Sequence, residues 1–138
     1  MKFKFAAACA LTFGIFLLQG CEKLMEQAKQ DALVDAMMSK TWYVAQYTEV
    51  NTVVTSEFSG YDFNFKSDHS VIAKKGTVSV TGDWGADINT KMLSASFNSG
   101  NPLSKLNGTW NVYYQDALGP KMNQVVNSKE LKLFLRFR

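Results

Sequence analysis

The sequence predicts an all-β domain: an antiparallel sandwich or up-and-down barrel of about seven or eight strands, preceded by one short N-terminal helix. Three observations carry that expectation. Short runs rich in aromatic and β-branched residues recur from Thr41 to Phe137, and the cleanest alternates Tyr61, Phe63 and Phe65 with Asp62, Asn64 and Lys66. Turn-forming pairs separate the runs, among them Ser59-Gly60, Lys75-Gly76, Ser99-Gly100 and Asn127-Ser128. Glu22 to Met38 alone reads as helix, because it lacks Gly and Pro and is rich in strong helix formers.

In that helix Met25, Ala28, Ala32, Leu33, Ala36 and Met37 fall near one face, opposite Glu26, Lys29, Gln30 and Asp31. A helix tethering and packing on the domain is one reading. A helix lying in a membrane interface is the other, and its polar face is not strongly basic. The first strand spans Thr41 to Val50, with Trp42, Val44 and Val50 on one face and Tyr43, Ala45 and Tyr47 on the other. Tyr61 to Lys66 follows, then a tight turn at Ser67-Asp68-His69 and a strand through Val71-Ile72-Ala73. Gly76 to Trp84 alternates Val78 and Val80 with Ser and Thr, and Met92 to Phe97 aligns Leu93, Ala95 and Phe97. Gly108 to Gln115 places Trp110, Val112 and Tyr114 together, with Tyr113 opposite. Leu118-Gly119-Pro120 reads as a turn, and Lys129 to Phe137 closes the chain with Leu131, Leu133, Leu135 and Phe137 on one side. A meander of this length can close on itself and remove its exposed edges. Thr41-Trp42, Gly82-Asp83-Trp84 and Gly108-Thr109-Trp110 each put Trp near a strand start, without a fixed period.

The first twenty residues have a different character. Lys2 and Lys4 precede an apolar run from Ala6 to Leu18, and Gln19-Gly20 leads into Cys21. These are the three parts of a secretory signal peptide, and the run is shorter than the about 20 residues that a bilayer span needs. Leu18-Gln19-Gly20-Cys21 resembles the bacterial lipobox, which implies cleavage between Gly20 and Cys21 and lipid attachment on the Cys21 thiol. The chain then divides into a signal peptide (1–20), a lipid-anchored linker and amphipathic helix (21–39) and a barrel domain (40–138). Cys9 lies in the segment removed, so Cys21 remains without an intramolecular disulfide partner. About two acyl chains give durable anchoring. Glu22 after the cysteine, rather than Asp, implies by the same resemblance an outer-membrane destination; the periplasmic and surface faces both stay open.

Charge excludes further classes. The whole chain is +3, but Lys2 and Lys4 belong to the signal segment, so residues 21–138 hold 13 basic against 12 acidic side chains. No Lys/Arg cluster interleaves with aromatics along the sequence, so nucleic acid is not an expected partner. The one histidine, His69, sits in an exposed turn beside Asp68, and adjacency in sequence is not a catalytic dyad. A metal site is not expected, and neither is a cofactor: no second His or spare Cys is present, and Asp83, Asp87 and Asn89 match no calcium loop. The chain is therefore not expected to be an enzyme.

The order of lipobox, linker, Thr-Trp strand, "SGYDFNFKSDHSV", "VTGDWGAD", "LSASF", "NPLSKLNGTWNVYY" and "KELKLFLRF" resembles the lipocalin-like lipoproteins of Bacteroidetes. The resemblance covers about Lys40 to Phe137. It departs at His69, where the family's turn usually has Gly, and at Lys40, where Gly often precedes Thr-Trp. It implies a small up-and-down lipocalin-like barrel or half-barrel, a membrane partner through the N-terminal lipid, and a candidate interior site at Trp42, Phe63, Trp84, Trp110 and Tyr114. Such an interior is either filled by its own side chains or open to a small apolar ligand, and bulky residues favour filling. The alternative is an interaction or scaffold module of the envelope. In that reading Tyr43, Tyr47 and Tyr113, opposite the Trp residues, meet the helix, an envelope protein or a surface glycan.

Overall fold

The computed structural model describes the backbone of residues 8–138 and the side chains of residues 20–138 other than 26, 29 and 30. The basic n-region with Lys2 and Lys4 lies outside the described residues, and so does the Cys9 side chain. Helix α1 (Ala8–Ser39) contains the expected Glu22–Met38 segment within a longer run. Among the described residues, no helix is long and apolar enough to cross a membrane.

The strands are β1 (Thr41–Glu49), β2 (Thr52–Val53), β3 (Tyr61–Phe65), β4 (Ser70–Lys75), β5 (Val78–Asp87), β6 (Met92–Ser96), β7 (Gly108–Asp116), β8 (Gly119–Val126) and β9 (Lys129–Phe137). From β3 to β9 each strand pairs antiparallel with the next, and β1 pairs with both β3 and β9. The β1–β9 ladder, from Trp42↔Phe137 to Glu49↔Leu131, closes an eight-stranded up-and-down barrel, with β2 a stub hydrogen-bonded to β1. Closure leaves no long free edge to template further pairing.

Seven strands lie where the alternation places them. The eighth, β8, does not carry the signal: Gly119 and Pro120 read as a turn, and beyond them only Met122 presents a large apolar side chain to the interior. Pro120 stands one residue into the strand, next to the first position, where a missing N–H is tolerated. Gly119 is required by space. It has φ 140°, and a Cβ there would collide with the Leu135 carbonyl oxygen and come 2.8 Å from the Trp42 ring.

Two irregularities reverse the expected faces. A bulge in the β1–β9 ladder between Val44 and Gln46 puts an extra residue, Ala45, into β1. Two residues then oppose one, and the alternation restarts on the other side. Tyr47 therefore joins Trp42 and Val44 in the core, and Val50 is exposed, the reverse of the expectation for both. A second bulge between Val112 and Tyr114 does the same in β7: Trp110 is buried and Tyr114 turns outward.

Each mouth of the barrel is closed. At one, α1 buries Leu33 and Met37, with Val34 and Ala36 half-buried, a four-residue spacing that sets these side chains on one helix face. Met25, Ala28 and Ala32, expected on the same face, are exposed, because α1 meets the barrel only over its final turns. At the other mouth two 3₁₀ turns, Thr55–Phe58 and Leu103–Leu106, insert Phe58, Leu103 and Leu106. The three tryptophans staple connecting segments to the barrel. Trp42 Nε1 donates to the Met37 carbonyl (3.1 Å), Trp84 Nε1 to that of Lys66 (2.8 Å) and Trp110 Nε1 to that of Leu106 (2.9 Å). Each ring fills core while its polar edge is satisfied by a carbonyl of a neighbouring segment. Trp42 and Trp110 stand near the starts of β1 and β7 as expected, whereas Trp84 stands near the end of β5, because that strand begins at Val78 and runs past the expected break.

Candidate functional site

The interior brings together four of the five candidate site residues. Trp42, Phe63, Trp84 and Trp110 are between 1 and 7% exposed, and edge-on ring contacts fill the space between strands, as between Phe65 and Trp84 (5.2 Å) and Phe63 and Phe97 (6.4 Å). What remains is a void of about 40 Å³, reached by Met37 from the helix mouth and by Leu106 from the other. Pockets for small organic ligands run to about 300–1,000 Å³. This barrel is filled with its own side chains.

Tyr114 does not join them. It is 52% exposed on the outer wall, and Lys121 Nζ stands 5.0 Å from its ring centroid. The three tyrosines expected to share a face do not share one. Tyr47 is core, Tyr43 lies under the Arg138 guanidinium (4.5 Å), and Tyr113 borders a groove beside α1. That groove, about 190 Å³, runs between Leu33 and Val34 of α1 and Ala86, Met92, Val112 and Tyr113 of the barrel. The helix thus covers a barrel mouth and leaves Tyr43 to other neighbours.

Cys21 is exposed on α1 as a free thiol, next to an exposed Gly20 with open space around its Cα. His69 occupies the expected turn with φ 67°, so it adopts the left-handed conformation for which Gly is the usual choice. Asp68 anchors this turn: its Oδ1 accepts from the Ser70 hydroxyl (2.6 Å) and the Ser70 amide (3.0 Å), and these bonds hold its carboxyl below the usual range. Asp87 accepts from the amides of Asn89 and Thr90 and so caps its own hairpin. Among the described residues no group of three or more His, Cys, Asp and Glu is placed to hold a metal ion.

One polar cluster was not visible in the sequence. Lys105, on the second 3₁₀ turn, sets its Nζ 2.8 Å from Glu49 and 2.7 Å from Glu57, joining that turn to β1 and to the first 3₁₀ turn. Those hydrogen bonds, Glu49 first, hold the Lys105 pKa above its usual value. The Tyr47 hydroxyl donates to the Lys105 carbonyl (3.0 Å), and the Tyr47 amide donates to Thr55 Oγ1 (2.9 Å). Burial, with the Glu49 charge second, pushes the Tyr47 pKa up to about 12. The cluster locks the mouth opposite α1. Its members lie up to 58 residues apart, and Tyr47 reaches it only through the bulge, so no local signal announces it.

A last feature is a polar crevice of about 280 Å³. β1 pairs with β3 only at Thr41↔Asn64 and Trp42↔Phe63; past that point the strands part, leaving a gap bordered by Tyr43, Tyr61, Ser56, Ser59 and Arg138.

The fold and these sites define a closed, eight-stranded antiparallel barrel with a filled interior and an N-terminal helix over one mouth. No family model matches the sequence, and no curated protein does. Among solved structures, a DUF4847 family protein from Bacteroides vulgatus is similar with a TM-score of 0.49 at 13% identity, over 72% of this chain and 94% of that one.

Proposed function

We propose that this chain is a lipoprotein of the cell envelope, anchored through lipid on Cys21 and favouring the outer membrane, whose lipocalin-like barrel is a non-catalytic interaction module. One observation carries the second half of this reading: with an interior void of about 40 Å³, the surfaces left for a partner are outside the barrel. The lipobox-like Leu18-Gln19-Gly20-Cys21 supports the first half, together with a Cys21 thiol that is exposed on the helix leading into the barrel. Labelling cells with an alkyne fatty acid is expected to mark the wild-type chain and not Cys21→Ser. Equal labelling of both would overturn the anchor.

A second reading is favoured by the groove beside α1, whose walls of Leu33, Val34, Met92 and Val112 suit a small apolar ligand. Native mass spectrometry with solvent extraction separates the two. A co-purified apolar molecule displaced by Val34→Arg would make the chain a carrier at that groove.

A further inference from the structure

The last strands carry a charge imbalance hidden by the near-neutral total. From residue 117 onward the basic residues are Lys121, Lys129, Lys132, Arg136 and Arg138, against Glu130 alone; residues 21–116 hold 8 basic and 11 acidic side chains. Folding concentrates this excess on one wall. Leu133 and Leu135 of β9 point inward, so Lys132, Phe134 and Arg136 point out. The ladders continue the pattern sideways: Tyr114↔Lys121↔Phe134↔Gln46 across β7, β8, β9 and β1, and Tyr43↔Arg136 beside it. Cations and rings that are scattered in sequence are interleaved on the surface.

The rings hold the cations in place. Lys121 Nζ lies 5.0 Å from the Tyr114 centroid and 5.2 Å from Phe134, and Arg138 lies 4.5 Å over Tyr43. Carboxylates neutralise this wall only in part. Arg138 pairs with Asp62 at 3.0 Å and Lys132 with Glu130 at 3.6 Å, whereas Lys121 and Arg136 have no carboxylate partner among the described residues.

We infer that the outer wall of β7–β8–β9–β1 docks a linear acidic polysaccharide. Its carboxylate or phosphate groups would meet Lys121, Lys132 and Arg136, and a sugar unit would enter the crevice between Tyr43 and Tyr61. Charge complementarity argues for an anion, and the layout argues for a polymer. The wall is convex and encloses no single ion, while outward positions two residues apart along β9 repeat at about 6.5–7 Å. Weak contacts made in series along one chain add to useful affinity. The crevice at the end of the row argues for sugar, since four hydroxyl-bearing residues, Ser56, Ser59, Tyr43 and Tyr61, border it and offer hydrogen bonds rather than open ring faces. Single-stranded nucleic acid fits less well because bases bind on open ring faces, and here cations already stand over Tyr43, Tyr114 and Phe134. A flat bilayer touches a curved wall along a strip and cannot reach all four strands.

The inference rests on the envelope reading only for where such a polymer is met. Binding is measured on the purified full chain, independently of Cys21 labelling. Sodium polygalacturonate is the probe and neutral dextran the control. Polygalacturonate is expected to bind at low ionic strength, to weaken about tenfold or more between 50 and 300 mM salt, and to leave dextran unbound. The half-buried pair Lys121→Gln with Arg136→Gln is expected to weaken binding about tenfold, the combined effect of removing two charges of modest individual strength. Lys132→Gln supplies a second variant on the same wall, and Lys74→Gln on β4 is expected to change nothing. The inference is overturned if polygalacturonate does not bind, if neither wall variant weakens it, or if phosphatidylglycerol vesicles or oligodeoxythymidylate bind more tightly through the same residues.

Discussion

The walls β4–β5 and β8–β9 lie on opposite sides of the barrel, and their inner faces are built alike. Each sets buried side chains at alternate positions, Val71, Ala73 and Trp84 on one and Met122, Leu133 and Leu135 on the other. Each also has one buried glycine where the next strand comes too close for a Cβ: Gly82 against the Ser96 carbonyl oxygen, Gly119 against that of Leu135. The outer faces differ. Across β4–β5 the paired outward residues are Ile72↔Thr81, Lys74↔Ser79 and Ser70↔Asp83, mostly small and polar. Across β8–β9 they are Lys121↔Phe134, Asn123↔Lys132 and Val125↔Glu130, with two cations, one ring and one carboxylate. Closing a filled barrel constrains the inner positions of both walls, and it leaves the outer ones free to diverge.

If the inner faces are equivalent, neither glycine tolerates a side chain, and the two substitutions have the largest expected effects on stability. Gly119→Ala is expected to cost about 3 kcal/mol or more, because it adds a strained φ to a backbone collision, and Gly82→Ala about 2–3 kcal/mol. Urea midpoints measure both, and a neutral Gly119→Ala would break the account of why β8 begins with that residue. Trp84→Phe and Trp110→Phe come next, at about 1–3 kcal/mol each, since each orphans a carbonyl on a connecting segment and opens space in the core.

Tyr47 tests the mouth that both walls share. Its proton is held to about pH 12 in the folded chain, whereas an unfolded tyrosine releases it near its ordinary value of 10.0. The folded state thus keeps a proton that the unfolded state loses. Its stabilisation is complete below about pH 10 and falls away as pH rises toward 12. After screening by solvent the loss is about 1–2 kcal/mol. Lys105, held above its usual range by Glu49 and Glu57, contributes in the same direction. Thermal melts across that range are expected to flatten in Tyr47→Phe, and an unchanged alkaline slope would mean that other groups cause it. The smallest effect belongs to the outer walls. Lys121→Gln and Lys74→Gln are each expected to alter stability by less than about 0.5 kcal/mol, so any difference between them in polymer binding reads function and not folding.

The inner face was largely legible. Period-two alternation locates Phe63, Phe65, Leu133 and Leu135, and the helix formers of Glu22–Met38 locate the end of α1. Alternation fails at Tyr47 and Tyr114 because a bulge adds one residue to one strand and nothing in the local sequence marks it. It fails at β8 because a strand with Gly119, Pro120 and a single large inward residue has too little contrast to show a period. The candidate outer surface was less legible still. Lys121, Phe134, Arg136 and Tyr43 lie up to 93 residues apart and become neighbours only through the β1–β9 ladder.

By itself the sequence determined the class of fold, an antiparallel meander long enough to close, because strand periodicity is a local property of side-chain order. It also determined the lipobox-like junction at Cys21 as the expectation to test. Tertiary structure decided that the barrel closes through β1 and β9, that its interior is full and that its excess positive charge lies on one wall. Those outcomes depend on register and on volumes summed over distant strands, which no local window contains.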